Sequence, residues 1–308
     1  MAVDLLHKKE HIAKEMMEFF HDHYLSNGCY VTLLYPFNTS FYRKMGYGYG
    51  GKVDQYRVDL RGMALLKQKA NLRYLSESDA PAAAKTYSRV FHRTHGMCAT
   101  STERIKDLFS REGGVAVGHF QNKRLTAYTA FHFVRGFESS VGRENRYVND
   151  IFVDELIYEE REGFLRLMAF FASQADQCKR LIVRSQDEHF YHLLNDVSDG
   201  SGNIVNLLNH QSNVGAVGAM YRILDVPKLV ESLAVGAFPA EVNQAIEITV
   251  EDDFLESNHG TVHLRVAGGR CRTESLAGDV PSLRIGVAEL SSLMMGAVPL
   301  HKLHMYGL

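Results

Sequence analysis

The stretch Phe41-Tyr42-Arg43-Lys44-Met45-Gly46-Tyr47-Gly48-Tyr49-Gly50 decides how the first part of this chain is interpreted. It follows a strand-like run at residues 30–35 and an asparagine, Asn38, in a turn. Three tyrosines and three glycines alternate around two cations. Because glycine permits tight turns, the segment predicts one rigidly held phenol, that of Tyr42, beside a sharply turning backbone. A phenol held in this way suits a proton donor.

The elements around this stretch predict a crossover. Apolar residues at helical spacing predict a helix over Lys8–Tyr24, and short apolar runs predict strands at Met1–Asp4 and Tyr30–Tyr35. Two parallel strands joined by one helix form a β-α-β unit, and ligands of such sheets bind at the carboxyl ends of the strands. The helix start, Asn38 and Tyr42 would then surround one crevice.

The rest of the chain predicts a mixed order of helices and strands. Antiparallel strands come first, a β-α-β crossover follows at about residues 147–185, and a third region of alternating strands begins after Val226-Pro227. Residues 196–213, rich in Asn, Ser and Gly, predict a long loop. The fold class is therefore α/β with mixed α+β character, and breaks fall near residues 71 and 224.

Composition and charge exclude several classes of function. The 308 residues suffice for two or three domains, and a net charge of −2 without a basic run argues against a nucleic-acid or membrane partner. Four cysteines without a Cys-x-x-Cys pair predict reduced, mostly buried thiols. Since no signal peptide or apolar run of about 18 residues is present, we expect a cytoplasmic protein.

The turn Leu6-His7-Lys8-Lys9-Glu10-His11-Ile12-Ala13 predicts an anion pocket. The first N–H groups of a helix are unpaired and its dipole end is positive, and Lys8 and Lys9 add charge for a pyrophosphate. The alternative is that both lysines are ordinary solvated residues, since the turn lacks the glycines of the strong phosphate motifs. Tyr42, likewise, would either protonate a departing thiolate or serve only in packing.

Together these residues resemble the GNAT superfamily of acyl-CoA-dependent N-acetyltransferases, and more narrowly its Eis (enhanced intracellular survival) group. The resemblance lies in residues 3–13, similar to the family's pyrophosphate loop, and in residues 38–48, similar to its tyrosine turn. It implies a partial GNAT domain at residues 1–71, a degenerate central GNAT-like domain at 72–224 and an incomplete sterol-carrier-protein-like domain at 225–308.

The resemblance also implies roles for particular residues. Tyr42 would be the general acid on the coenzyme A thiolate, and the carboxylate of Leu308 would be the general base. The residues that would contact acetyl-CoA are Met1, Ala2 and Val3 at the pantetheine arm; Lys8, Lys9, Glu10, His11, Ile12 and Ala13 at the pyrophosphate; and Phe37 and Asn38 along the cofactor. The acceptor would be a primary amine of aminoglycoside, polyamine or lysine type, and the assembly a homo-oligomer, with a hexamer suggested.

Three departures from the family pattern bear on these expectations. His11 stands where the family has glycine, and its Cβ would crowd the approach to phosphate. The family has further strands before the loop and continues past the position of Leu308, so we expect truncation at both ends. The equivalent central loop, residues 154–163, is acidic and would repel a pyrophosphate, which predicts a structural copy.

Two alternatives remain at this point. The chain would be a catalytically inactive fragment or a binding module of the same family. More remotely, His7-Lys8-Lys9-Glu10-His11 spells His-x-x-Glu-His, the inverted zinc-protease motif, and His7 and His11 would share a zinc ion on one helix face in a hydrolase.

Overall fold

The computed structural model describes residues 3–63, 68–138, 143–233, 235–275 and 278–308. The α-helices are α1 (Ile12–Ser26), α2 (Thr39–Arg43), α3 (Ala80–Phe91), α4 (Thr102–Phe109), α5 (Arg161–Ala172), α6 (Val226–Ser232), α7 (Val287–Met294) and α8 (Leu300–Tyr306). The strands are β1 (Val31–Leu34), β2 (Gly48–Tyr49), β3 (Lys52–Asp59), β4 (Leu72–Tyr74), β5 (Gly114–Gln121), β6 (Arg124–Glu138), β7 (Arg143–Tyr158), β8 (Cys178–Ser185), β9 (Ile204–Val205), β10 (Asn209–His210), β11 (Asn213–Val217), β12 (Met220–Ile223), β13 (Gln244–Glu251), β14 (Gly260–Ala267), β15 (Arg270–Thr273) and β16 (Ser282–Gly286).

The chain forms two compact units. The first joins Met1–Lys52 to Val217–Leu308, and the second is Val53–Ala216. This grouping by contacts differs from the three domains expected at 1–71, 72–224 and 225–308, which remain an interpretation by resemblance. The physical reason for the grouping is that the first 52 residues pack on the last 92, through the shared sheet and core described next.

The first unit contains two sheets. One has the order β1-β12-β2, with β12 antiparallel to both neighbours, and helix α7 packs against β2 and β12. The other has the order β15-β14-β13-β16, with β13 and β16 parallel. Buried residues of β12, α6, α7 and this second sheet form one continuous core. The strand that precedes the tyrosine turn is therefore supported by the C-terminal part of the chain.

The crossover predicted at the start of the chain is wrong among the described residues. Met1 and Ala2 lie outside them, Val3 and Asp4 are irregular, and Leu5–His7 is a 3₁₀ turn. Strand β1 instead pairs antiparallel with β12. Helix α1 begins at Ile12 instead of Lys8, because the preceding Lys9 and His11 have positive φ angles, which an α-helix excludes.

The second unit is built on a seven-stranded sheet of order β11-β3-β8-β7-β6-β5-β4. Helix α5 covers one face of this sheet and forms one core with it, and helices α3 and α4 form a second core on the other face. Neighbouring residues of β5 point to opposite faces, so that Val117 belongs to the first core and Ala116 to the second. Strands β7 and β8 run parallel and are connected through α5, so the predicted later crossover is confirmed. Residues 196–213, expected as a loop, also contain the short hairpin β9–β10.

The cysteines differ partly from the sequence expectation. Cys178 and Cys271 are buried, whereas Cys29 and Cys98 are exposed, and all four are free thiols. Within the described ranges, no helix has both the length and the apolar character needed to cross a membrane.

Candidate active site around Tyr42

Tyr42 lies on helix α2, and the sequence before it starts that helix. The side chain of Asn38 accepts a hydrogen bond from the backbone N–H of Phe41 at 3.2 Å and from the hydroxyl of Ser40 at 2.8 Å. An asparagine in this position satisfies an N–H group that the first turn leaves unpaired. Asn38 therefore acts as the N-cap of the helix that holds Tyr42. The role along the cofactor that the resemblance implies for Asn38 stays a prediction.

The Tyr42 side chain is only 6 % exposed and is enclosed by aromatic rings. The rings of Phe37, Phe41 and Tyr47 meet it edge to face, at centroid distances of 5.6, 5.2 and 5.9 Å. Burial raises the pKa of the Tyr42 hydroxyl above its ordinary value of about 10. The phenol is thus protonated at neutral pH, and its hydroxyl makes no hydrogen bond within the described part of the chain.

The glycines after Tyr42 fix the path of the chain. Gly46 has a φ of +76°, and a Cβ atom there would overlap the guanidinium group of Arg222. A Cβ atom on Gly48 would overlap the backbone carbonyl of Ala288 in α7. The backbone N–H of Tyr47 donates to the carbonyl of Tyr42 at 3.2 Å. The predicted tight turn beside a held phenol is therefore present in the structure.

Three buried polar side chains are joined by hydrogen bonds next to Tyr42. The hydroxyl of Tyr47 lies 3.0 Å from Nε2 of His21 and 3.1 Å from the hydroxyl of Thr32. All three residues are buried. Burial raises the pKa of Tyr47 to about 12, and burial, together with the positive charge of Arg222, lowers the pKa of His21 to about 4. Both groups are therefore neutral at pH 7.

Arg222 and Asp252 form a second buried group next to these side chains. Nη2 of Arg222 donates to both carboxylate oxygens of Asp252, at 2.9 and 2.7 Å, and neither side chain is exposed. Sequence reasoning missed both residues. The available signal was the alternation of β12, which puts the charged Arg222 on the same face as the apolar Met220.

The turn expected to hold pyrophosphate is exposed and ends at an uncapped helix. His11, the residue before α1, lies in the left-handed region at φ 62°, and no side chain caps the helix start. Lys8, Lys9 and His11 are exposed, and Ile12 and Ala13 are half-buried. The N–H groups of Ile12 and Ala13 have no partner within the helix, and together with two lysines they fit an anionic group.

Glu10 does not fit this arrangement as a phosphate contact. Its carboxylate lies 3.0 Å from Nδ1 of His7, on the surface.

The zinc interpretation requires His7 and His11 on one helix face. His7 lies in the 3₁₀ turn and His11 precedes α1, so the two do not share such a face. In the described ranges, no group of three His, Cys, Asp or Glu side chains is placed to hold a metal ion.

Three more residues of the predicted site are Phe37, Leu308 and Val3. Phe37 is 75 % exposed, with one edge against Tyr42. Leu308 is exposed after helix α8, where its N–H donates to the carbonyl of Leu303 at 3.1 Å. None of the described contacts joins Leu308 to Tyr42, and Val3 is half-buried without a strand partner. The assignments of Leu308 and Val3 therefore stay predictions.

The acidic stretch at residues 154–163 contains carboxylates that form ion pairs. Asp154 and Glu155 lie within β7, where Glu155 pairs with Arg104 at 2.7 Å and accepts from the hydroxyl of Tyr128 at 2.7 Å. Glu159 pairs with Arg89 and Arg124, at 2.6 and 3.1 Å. These carboxylates thus pair with cations of helices α3 and α4 and of strand β6, and the expected repulsion of a phosphate stays a prediction.

Comparisons with known families match both ends of the chain. A family model for the GNAT acetyltransferase domain matches residues 1–50, which contain the loop and Tyr42. A family model for the sterol carrier protein domain matches residues 226–308. The comparison with curated proteins returned no match.

Solved structures share the fold over the whole chain. A GCN5-related N-acetyltransferase from Anabaena variabilis matches at a TM-score of 0.79 and 17 % identity, over 100 % of this chain and 74 % of that one. One from Kribbella flavida gives 0.73 and 19 %, over 100 % and 71 %. Eis1 from Mycobacterium abscessus gives 0.71 and 18 %, over 100 % and 74 %. Residues 1–50 therefore match a GNAT acetyltransferase domain, residues 226–308 match a sterol carrier protein domain, and the chain shares the fold of these structures.

Proposed function

We propose that this chain acts in acetyl-CoA-dependent N-acetyl transfer to a primary amine, with Tyr42 as the general acid. One observation carries the proposal. A single match to the GNAT domain, at residues 1–50, includes both an uncapped, lysine-flanked helix start and a buried tyrosine on a capped helix. The first suits a pyrophosphate and the second suits a proton donor, and acyl transfer from acetyl-CoA needs both.

The residues of the turn would hold the donor at its charged end. Lys8 and Lys9 would face the pyrophosphate, and the N–H groups of Ile12 and Ala13 would donate to its oxygens. Acetyl-CoA, when bound, supplies the acetyl group as a thioester. Glu15 in the first turn of α1 opposes an anion, so the two lysines would be needed for binding.

Tyr42 would donate its proton at the departing sulfur. The transfer from a phenol of pKa about 10 to a thiolate of pKa about 8.5 is uphill by about 2 kcal/mol, and burial of Tyr42 adds to that. The phenol therefore acts first as a hydrogen-bond donor to the developing negative charge, in a site of low polarity where such a bond is strong. The base that takes the proton of the amine stays the carboxylate of Leu308, by resemblance only.

The wider context of the reaction belongs to the same proposal. The acceptor would be an aminoglycoside, a polyamine or a lysine amine, since each presents the primary amine that the reaction requires. We also propose that the protein is a homo-oligomer, with a hexamer suggested, and that it lies in the cytoplasm. No metal ion enters the proposed chemistry.

Acetyl-CoA binding, measured by isothermal titration calorimetry and by the shift in melting temperature, tests the proposal. We expect saturable binding to the wild-type chain and its loss in Lys8→Glu/Lys9→Glu. Arg161→Glu is the matched control, because it reverses a charge at the start of helix α5 in the second unit, and it should bind as the wild type does. Absence of binding to the wild type would overturn the proposal in favour of an inactive binding module, and undiminished binding to the double variant would place the donor elsewhere.

A further inference from the structure

Arg222 reaches in two directions from strand β12. Its Nη2 atom binds both carboxylate oxygens of Asp252, at 2.9 and 2.7 Å, and its Nη1 atom donates to the backbone carbonyl of Met45. Arg222 lies four residues before the segment that matches the sterol carrier protein domain, and Asp252 lies within that segment. Met45 lies in the turn that follows Tyr42. One guanidinium group therefore connects the domain to the turn.

Asp252 is a fixed anchor for this guanidinium. Its carboxylate also accepts hydrogen bonds from the backbone N–H groups of Phe254 and Leu255, at 3.0 and 2.9 Å, and from the amide of Asn258 at 3.2 Å. The Phe254 ring lies 5.5 Å from the Arg222 guanidinium carbon. These contacts hold the Asp252 carboxylate in one position. Since the guanidinium group is planar, its bond to that carboxylate also fixes the direction of its Nη1 donor.

The turn has little freedom to move away from Arg222. The N–H groups of Met45 and Tyr47 both donate to the carbonyl of Tyr42, at 2.9 and 3.2 Å, so the position of Met45 is tied to that of Tyr42. Gly46 lies directly against the guanidinium, where a Cβ atom would not fit. A displacement of the Met45 carbonyl would therefore be passed to the backbone of the tyrosine itself.

Two more contacts join the same turn to the same domain. Arg43, the residue after Tyr42, forms an ion pair with Glu289 of helix α7. Gly48 packs against the backbone carbonyl of Ala288 in that helix. The turn thus contacts the domain directly at Arg43 and Gly48, and through Arg222 at Met45. Of these three described contacts, the one through Arg222 is completely buried and charge-assisted.

We propose that the sterol carrier protein domain positions Tyr42 and that Arg222 is the positioning residue. The domain then serves the proposed acetyl transfer by holding the proton donor in place. This inference rests on the proposed role of Tyr42. Arg222 itself contacts no reacting group; it acts through the carbonyl of Met45 and the turn that returns to Tyr42.

The variant that tests this role must not leave a bare charge in the core. Arg222→Met alone would leave Asp252 buried and uncompensated, and the chain would be expected to unfold. The paired replacement Arg222→Met/Asp252→Leu removes both charges and fills their space with apolar side chains of similar size. The matched control is Arg284→Met/Glu251→Leu, which removes an exposed ion pair of 3.1 Å from the same domain, one residue away from Asp252.

A double-mutant cycle with Tyr42→Phe then separates positioning from folding. We expect the paired replacement to lower kcat for acetyl transfer at least tenfold, to leave the acetyl-CoA Kd within about twofold, and to have no further effect in the Tyr42→Phe background. The control pair should leave kcat unchanged. An equal loss of kcat in both backgrounds would overturn the inference, because Arg222 would then act independently of Tyr42.

Amide hydrogen exchange at residues 42–47 gives a readout that does not depend on activity. We expect at least tenfold faster exchange in the folded Arg222→Met/Asp252→Leu variant and wild-type exchange in the control pair. Unchanged exchange would overturn the inference. If Tyr42→Phe alone transferred acetyl at the wild-type rate, the proposed function of Tyr42 would fail, whereas the exchange result would still decide whether Arg222 orders the turn.

Discussion

His11 illustrates, at the scale of one residue, how this chain departs from the family pattern. The family has glycine at this position, and the structure shows that the backbone keeps the conformation that glycine favours, with φ at 62° and ψ at 3°. Lys9, two residues earlier, also has a positive φ, of 73°. Histidine at this position therefore occupies a left-handed conformation, which carries strain for a residue with a Cβ atom.

The change His11→Gly is expected to stabilise the chain. Relief of a left-handed conformation gains about 1–2 kcal/mol, from which the greater freedom of glycine in the unfolded chain subtracts about 0.5–1 kcal/mol. The free energy of unfolding, measured by urea denaturation, should therefore rise by about 0.5–1 kcal/mol. Lys9→Gly should act in the same direction. A loss of stability in both variants would show that the two side chains make contacts that outweigh the strain.

His21 makes stability depend on pH in a predictable direction. Its pKa is lowered to about 4 in the folded chain, chiefly by burial, and returns to about 6.5 on unfolding. Below pH 6.5 the unfolded chain binds a proton that the folded chain does not, so stability is retained above that pH and lost as the pH falls toward 4. The loss at pH 4 amounts to about 3 kcal/mol from this group.

The variant His21→Gln checks this expectation, since its amide can still reach the hydroxyl of Tyr47. Urea denaturation at pH 7 and at pH 4 should show a smaller loss of stability for His21→Gln than for the wild type, by about 3 kcal/mol. His23→Gln, an exposed position on the same helix, is the control and should follow the wild type. An identical pH dependence in all three chains would contradict the assignment to His21.

At the scale of elements, helix α2 is short and depends on its cap. Five residues form too little helix to be stable alone, so the N-cap and the packing of Tyr42 must hold it. Asn38→Ala removes the acceptor for the N–H of Phe41 and should lower the free energy of unfolding by about 1 kcal/mol. Asn38→Ser keeps an acceptor and should restore most of the loss. Equal stability of Asn38→Ala and the wild type would show that the cap contributes nothing to the helix.

At the scale of the whole molecule, local patterns predicted the elements better than their partners. The β-α-β crossover at about residues 147–185 was predicted and is present as β7, α5 and β8, because the patterns of its elements are set within each element. The partner of strand β1 was missed, since it pairs with β12, about 190 positions further along the chain. A partner so distant leaves no trace in the residues of the strand itself.

The residues of the candidate site also fall into two groups, those that a local motif predicted and those that only the fold brings together. Tyr42 and Asn38 were predicted because a family motif surrounds them, and the structure places them on one capped helix. Arg222 and Asp252 were missed because they lie 30 positions apart, and the fold brings them together in the core. The left-handed conformation of His11 was not predicted, since a positive φ is uncommon for any residue other than glycine.

The central claim is that Tyr42 donates the proton in acetyl transfer, and one measurement tests it most directly. The kcat for acetyl transfer from saturating acetyl-CoA to a primary amine is compared between the wild type, Tyr42→Phe and the control Tyr35→Phe, whose side chain is 78 % exposed. Tyr42→Phe should lose a factor of about 10²–10⁴ in kcat while binding acetyl-CoA as the wild type does, and Tyr35→Phe should lose nothing. A Tyr42→Phe variant that transfers acetyl at the wild-type rate would contradict the account.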